Sequence, residues 1–197
     1  MEVKKQNKMK VMTNGLRRAT RSSRLTLLRG KKRKEFVRKF LRDRRMTAVH
    51  EAGHVVIAKM LGIPALAYIG VPADMDFDFR SQRTCYGWTV PMGDANDADL
   101  RLIGVAGAVA ELCWLREPVD EFVGQLMSDG DCAMAQCNPD FPDDECMDAA
   151  DTVARVLQPC GSHWHDLLVE ARKLILGSQR VFRAYLGRQG ILRANEA

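Results

Sequence analysis

The chain has 197 residues, with 30 Lys+Arg against 25 Asp+Glu and a formal net charge of +5 at pH 7. That length suits one compact domain with its own core plus an appendage; no stretch approaches the roughly 18 apolar residues a membrane span needs, and no secretory hydrophobic region is present. The charge is divided, because residues 1–46 hold 18 of the basic residues and only three acids (Glu2, Glu35, Asp43), a balance of +15, while the remainder balances at −10.

The chain therefore reads as a basic arm, residues 1–43, on an acidic domain, residues 44–197. The arm lacks the apolar density to fold alone and is expected to be largely disordered up to about residue 34. Its charge suits nucleic acid, an anionic membrane surface or an acidic partner. No aromatic residue precedes Phe36, which argues against base stacking. Phe36, Val37, Phe40 and Leu41 fall on one helical stripe, expected to pack on the domain. The phosphate-loop pattern fails around Gly30-Lys31-Lys32, since Leu25 stands where the first glycine belongs.

The first strong element runs from Thr47 to Leu61, with Gly62 as a helix stop and Pro64 preventing resumption. It carries His50-Glu51-Ala52-Gly53-His54, the H-E-x-x-H pattern. Residues four apart lie one above the other on a helix face, so both imidazoles can reach one metal ion. Glu51 projects beside them, within reach of the proton of a water held there. Gly53 costs about 1 kcal/mol against Ala in a helix interior, which points to a close neighbour.

Two short strands follow, Ala67–Pro72 and Thr84–Pro91, separated by a polar loop from Ala73 to Arg83. A second helix is expected over Ala98–Leu115, with Asp94, Asp97 and Asp99 near its start, and with Gly104 and Gly107 permitting close helix contact. Further helical segments are read at Ser128–Cys137, Asp148–Val156 and His163–Tyr185. The acids Asp140, Asp143, Asp144, Glu145 and Asp148 lack calcium-loop spacing and read as a solvated loop. The predicted fold is mainly α with a small β-sheet. The six cysteines (Cys85, Cys113, Cys132, Cys137, Cys146, Cys160) form no C-x-x-C pair. They read as buried thiols in a reducing compartment, with cytoplasm the expected location.

A catalytic zinc site needs a third protein ligand. The extended H-E-x-x-H-x-x-G-x-x-H solution is excluded, because Ile57 and Met60 occupy the relevant positions. Glu111 and Asp131 remain candidates. His163 and His165 read as a polar helix start.

Residues 47–54, Thr-Ala-Val-His-Glu-Ala-Gly-His, resemble the zinc-binding helix of the FtsH-type ATP-dependent zinc proteases. Three further blocks resemble that family in order: Tyr86–Pro91, its G-Y-T strand ending in proline; Gly107-Ala108-Val109-Ala110-Glu111, its G-x-x-A-E helix; and Ser128–Ala135, the segment supplying its third zinc ligand. The closing helices resemble the end of the same peptidase domain, so the likeness covers about residues 44–194. It implies a helical zinc-peptidase fold, with zinc held by His50, His54 and Asp131 and with Glu111 orienting a ligand histidine. Asp129 competes with Asp131 because the register of that short segment is open. Residues 136–163 depart from the family pattern, and neither the family's ATPase module nor its membrane spans are seen.

The expected function is a zinc metalloendopeptidase that cuts unfolded or flexible protein segments, with Glu51 as the catalytic base. By the resemblance, substrate lies extended along the strand at Thr84–Val90, beside Thr84, Tyr86 and Trp88. An ATPase acting in trans is a conceivable partner. The alternative is a nucleic-acid-associated regulatory protein whose zinc fold is structural and whose arm makes the contacts.

Overall fold

With no proline and a single glycine, Gly53, the stretch from Lys31 to Met60 holds as one helix, α1. The helix start expected at Thr47 is thereby corrected. Nothing in the preceding Lys- and Arg-rich segment stops a helix, and Thr47 lies inside it. The computed structural model describes residues 31–71, 84–120 and 123–188. The basic arm expected over 1–43 is thus helical from Lys31 onward, and the disorder expected before that falls outside the described residues. At its other end α1 stops where the sequence places the stop. Gly62 adopts φ +77°, and the Ile63 N–H donates back to the Ala58 carbonyl at 2.9 Å, closing the last turn.

Strands β1 (Ala65–Gly70) and β2 (Tyr86–Pro91) pair antiparallel, with Tyr68 opposite Trp88 and Ile69 opposite Gly87. Side chains alternate across the two faces. Leu66, Tyr68, Tyr86, Trp88 and Val90 are exposed, whereas Ile69 and Thr89 are buried. The loop read between the strands lies outside the described residues.

Helix α2 (Asp97–Leu115) begins where the Asn96 side chain accepts the Asp99 N–H at 2.9 Å. Every residue from Ile103 to Cys113 is buried, so this helix is surrounded by protein through its C-terminal half. Its small residues let neighbours approach closely. A Cβ on Gly53 of α1 would come within 2.7 Å of Ala110 Cβ. A Cβ on Gly104 would come within 2.8 Å of the Asp131 carbonyl oxygen.

A 3-10 turn (Val123–Leu126) leads to the short helix α3 (Asp129–Ala135), followed by α4 (Asp144–Leu157), α5 (Trp164–Gly177) and α6 (Gln179–Arg188). Two expectations change here. Asp143 caps α4 by accepting the Cys146 N–H at 2.7 Å, and Asp144 and Glu145 occupy its first turn. The acids read as a solvated loop are exposed, but Asp143, Asp144 and Glu145 start a helix, where its dipole favours them, and only Asp140 lies away from it. The long helix expected over His163–Tyr185 is broken at Ser178. There the Arg44 guanidinium donates to the Ile175 carbonyl and, at 3.3 Å, to Ser178 Oγ, while Ser178 Oγ also donates to Ile175 at 3.1 Å. These bonds satisfy a helix end that would otherwise lack partners.

The described residues divide into two units, Phe40–Phe182 and a smaller one holding residues 31–39 and 183–188. In the larger, the Phe40 and Phe182 rings lie 5.3 Å apart and Arg44 stands 4.3 Å over the Phe182 ring. In the smaller, Phe36 and Tyr185 are buried. Of the expected apolar stripe, Leu41 is exposed. The cysteines are not all buried either: Cys160 is exposed and Cys132 half-buried. No helix among the described residues is long and apolar enough to cross a membrane.

Candidate metal centre

The H-E-x-x-H segment sits in the buried part of α1, with His50, Glu51 and His54 all at most 6% exposed. Burying three polar side chains is costly unless each finds partners, and each does. The His50 Nδ1–H donates to Glu111 Oε1 of α2 at 2.9 Å, and the His54 Nδ1–H donates to the Ile103 carbonyl at 2.6 Å. Both rings thereby present Nε2 to the same point, as metal-ligating histidines do. Asp131 of α3 faces that point with both oxygens, Oδ2 at 3.1 Å from His50 Nε2 and Oδ1 at 3.2 Å from His54 Nε2.

Asp131 is itself fixed. Ser128 caps α3 by accepting the Asp131 N–H at 3.2 Å, and the Ser128 N–H donates to Asp131 Oδ2 at 2.8 Å, a reciprocal capping box. Asp129, the competing candidate, is exposed. Glu111 reaches the remote nitrogen of His50, which suits it to orient that ring. His163 pairs with Asp166 at 3.0 Å at the start of α5, and His165 is exposed.

One ligand atom from each of His50, His54 and Asp131 lies within 4.8 Å of the others, and the group could hold a metal ion. A further observation fits this use. A Cβ on Gly107 would overlap Nε2 of both histidines, so glycine keeps clear the space on which the donors converge. Burial alone would lower the pKa of His50, but the hydrogen bonds its ring donates to Asp131 and Glu111 outweigh it and raise it to about 10. Burial would raise Asp131, but the two imidazoles hold its carboxyl far below the usual carboxylate range. Both shifts favour a proton on His50, held between the Asp131 and Glu111 carboxylates, while no metal is bound.

A metal and the proton on His50 compete for Nε2, so loading at neutral pH should expel about one proton. With His50 titrating near 10, apparent affinity should rise about tenfold per pH unit from pH 6 to 9. Calorimetric titration in buffers of different ionisation enthalpy measures this directly. A pH-independent affinity would mean His50 is already neutral.

Glu51 lies under β2, where the Thr89 hydroxyl donates to its Oε2 at 2.6 Å. A Cβ on Gly87 would overlap the Glu51 carboxylate, so the strand can cover Glu51 only with glycine at that position. Neither Gly87 nor Thr89 was singled out from sequence. Their signal was strand alternation, since positions 87 and 89 share the inward face while Tyr86 and Trp88 face out. Of the residues expected to touch substrate, Tyr86 and Trp88 are exposed and Thr84 is not. Thr84 is fully buried, with its N–H and hydroxyl both donating to Asp43 Oδ2 at 2.9 and 3.0 Å. It ties the approach to β2 onto α1 and is withdrawn as a substrate contact.

Fold and centre together define a mainly helical protein with a buried His-His-Asp cluster able to hold a metal ion. No protein-family model matches the chain, and no curated protein matches it.

Proposed function

We propose that the chain is an FtsH-like zinc metalloendopeptidase acting on unfolded or flexible polypeptide. The observation that carries this reading is the convergence of His50, His54 and Asp131 on one point, beside a buried Glu51 held by Thr89. Two neutral imidazoles and one carboxylate are a donor set zinc accepts, and three protein ligands leave a position open. Bound zinc would supply Lewis acidity, making a water acidic near neutral pH and polarising the scissile carbonyl.

The chain's own residues supply the rest. Glu111 and the Ile103 carbonyl fix the tautomers of the two histidines. Glu51 takes the proton of the attacking water and returns it to the departing amine. Thr89 holds one oxygen of Glu51, limiting the positions its carboxylate can sample. The exposed Tyr86 and Trp88 on β2 offer apolar contact to an extended chain, with little demand for sequence.

Purified protein should contain about one zinc per chain and should cut casein. A chelator should abolish cleavage and added zinc restore it, and His50→Ala/His54→Ala should lose both metal and activity. A metal-loaded protein that leaves casein intact would end the peptidase reading while leaving the metal centre standing.

A further inference from the structure

Two thiols outside the metal centre meet. Cys137, just past the end of α3, and Cys146, in the first turn of α4, face each other with their sulfurs 2.7 Å apart. Both are buried, at 7% and 0% exposure. Their backbones are fixed independently of this contact. The Cys137 N–H donates to the Cys132 carbonyl at 2.9 Å, closing α3, and the Cys146 N–H donates to the Asp143 cap of α4 at 2.7 Å. The loop between them is held as well, because a Cβ on Gly124 of the 3-10 turn would come within 2.9 Å of Pro139 Cα. The fold itself thus presents one sulfur to the other, within reach of a bond of about 2.05 Å.

We propose that Cys137 and Cys146 form a redox modification site, joined as an intramolecular disulfide when a peroxide oxidises them. The two cysteines take different roles. Burial pushes the Cys146 thiol up to about 12, so it is protonated and reacts second. Cys137 retains a little exposure and meets the oxidant first. Its sulfur attacks one peroxide oxygen and the O–O bond breaks. The other oxygen leaves as hydroxide and takes up the Cys137 proton as water. Cys137 is then a sulfenic acid. The Cys146 sulfur attacks that sulfur and the S–O bond breaks. The departing hydroxide leaves as water with the Cys146 proton. One hydrogen peroxide and two thiols give one disulfide and two waters, with two electrons passing from sulfur to oxygen. A cellular thiol reverses the bond by exchange. The crosslink fastens α3, the helix that carries Asp131, to α4.

The full-length protein is reduced, freed of reductant, exposed to hydrogen peroxide at low protein concentration, and alkylated after denaturation. Peptide mapping should find Cys137 joined to Cys146, with dithiothreitol restoring both thiols. The oxidised protein should melt several degrees higher, because closing a short loop restricts the unfolded chain. Cys137→Ser and Cys146→Ser should each remove the crosslink and that shift. Mapping of the wild type alone decides the outcome, even should a variant fold poorly. Full alkylation of both cysteines after peroxide, a bond from Cys137 to Cys132, or a Cys137 that stops at the sulfenic acid would each overturn the proposal.

Discussion

Replacing Gly107 by Ala is expected to lower metal affinity at least a hundredfold while leaving the chain helical. The added methyl would overlap Nε2 of both His50 and His54, the two nitrogens that must carry the metal. The rings have little freedom to retreat, since Glu111 and the Ile103 carbonyl hold their other nitrogens and both side chains are buried. Nor can α2 move away easily, because it is buried on every side at this level. Ala is otherwise better than Gly in a helix by about 1 kcal/mol, so secondary structure should not suffer. Gly177→Ala, at a position with open space around it, controls for the addition of a methyl group to a helix. Metal analysis together with circular dichroism checks the result. Unchanged metal binding in Gly107→Ala would show that the metal sits elsewhere.

Glu51→Gln should have the opposite signature, with metal content unchanged and casein cleavage down by about 100- to 10,000-fold, the usual worth of a general base. The amide has the shape of the carboxylate, fits under Gly87 and can still accept the Thr89 hydroxyl through its oxygen. It cannot take up a proton. Loss of a base without loss of metal therefore separates chemistry from binding. Cleavage at the wild-type rate would remove Glu51 from the reaction, and loss of metal would recast it as a structural support.

The parts of this arrangement that were legible in the sequence are those encoded locally. His50 and His54 share a helix face by spacing, Gly62 and Pro64 mark the end of that helix, and the cost of Gly53 inside it pointed to a close neighbour, which is α2. Asp131 came forward through family resemblance, and Ser128 three residues before it is a capping pattern that sequence carries in plain form. What escaped were contacts set by distant residues. Arg44 grips the end of α5 from a distant part of the sequence, and the only local mark of the break is the Gly177-Ser178 pair. Thr84 shares strand parity with Tyr86 and Trp88 but lies ahead of β2, where Asp43 decides its environment. The start of α1 was missed for another reason. The apolar pattern begins at Thr47, and only the helix propensity of the Lys- and Arg-rich residues before it carries α1 back to Lys31.

The double duty of Asp131 has a thermodynamic consequence. Its carboxylate holds the first turn of α3, through the Ser128 N–H, and also holds the imidazoles of α1. A helix of seven residues cannot sustain itself in water, so α3 depends on what its ends grip. Occupancy of the centre and order of this segment are therefore linked quantities. Anything that strengthens one must strengthen the other by the same free energy, in both directions. The His50-His54-Asp131 cluster is in this sense a clasp on the short helix that supplies its carboxylate.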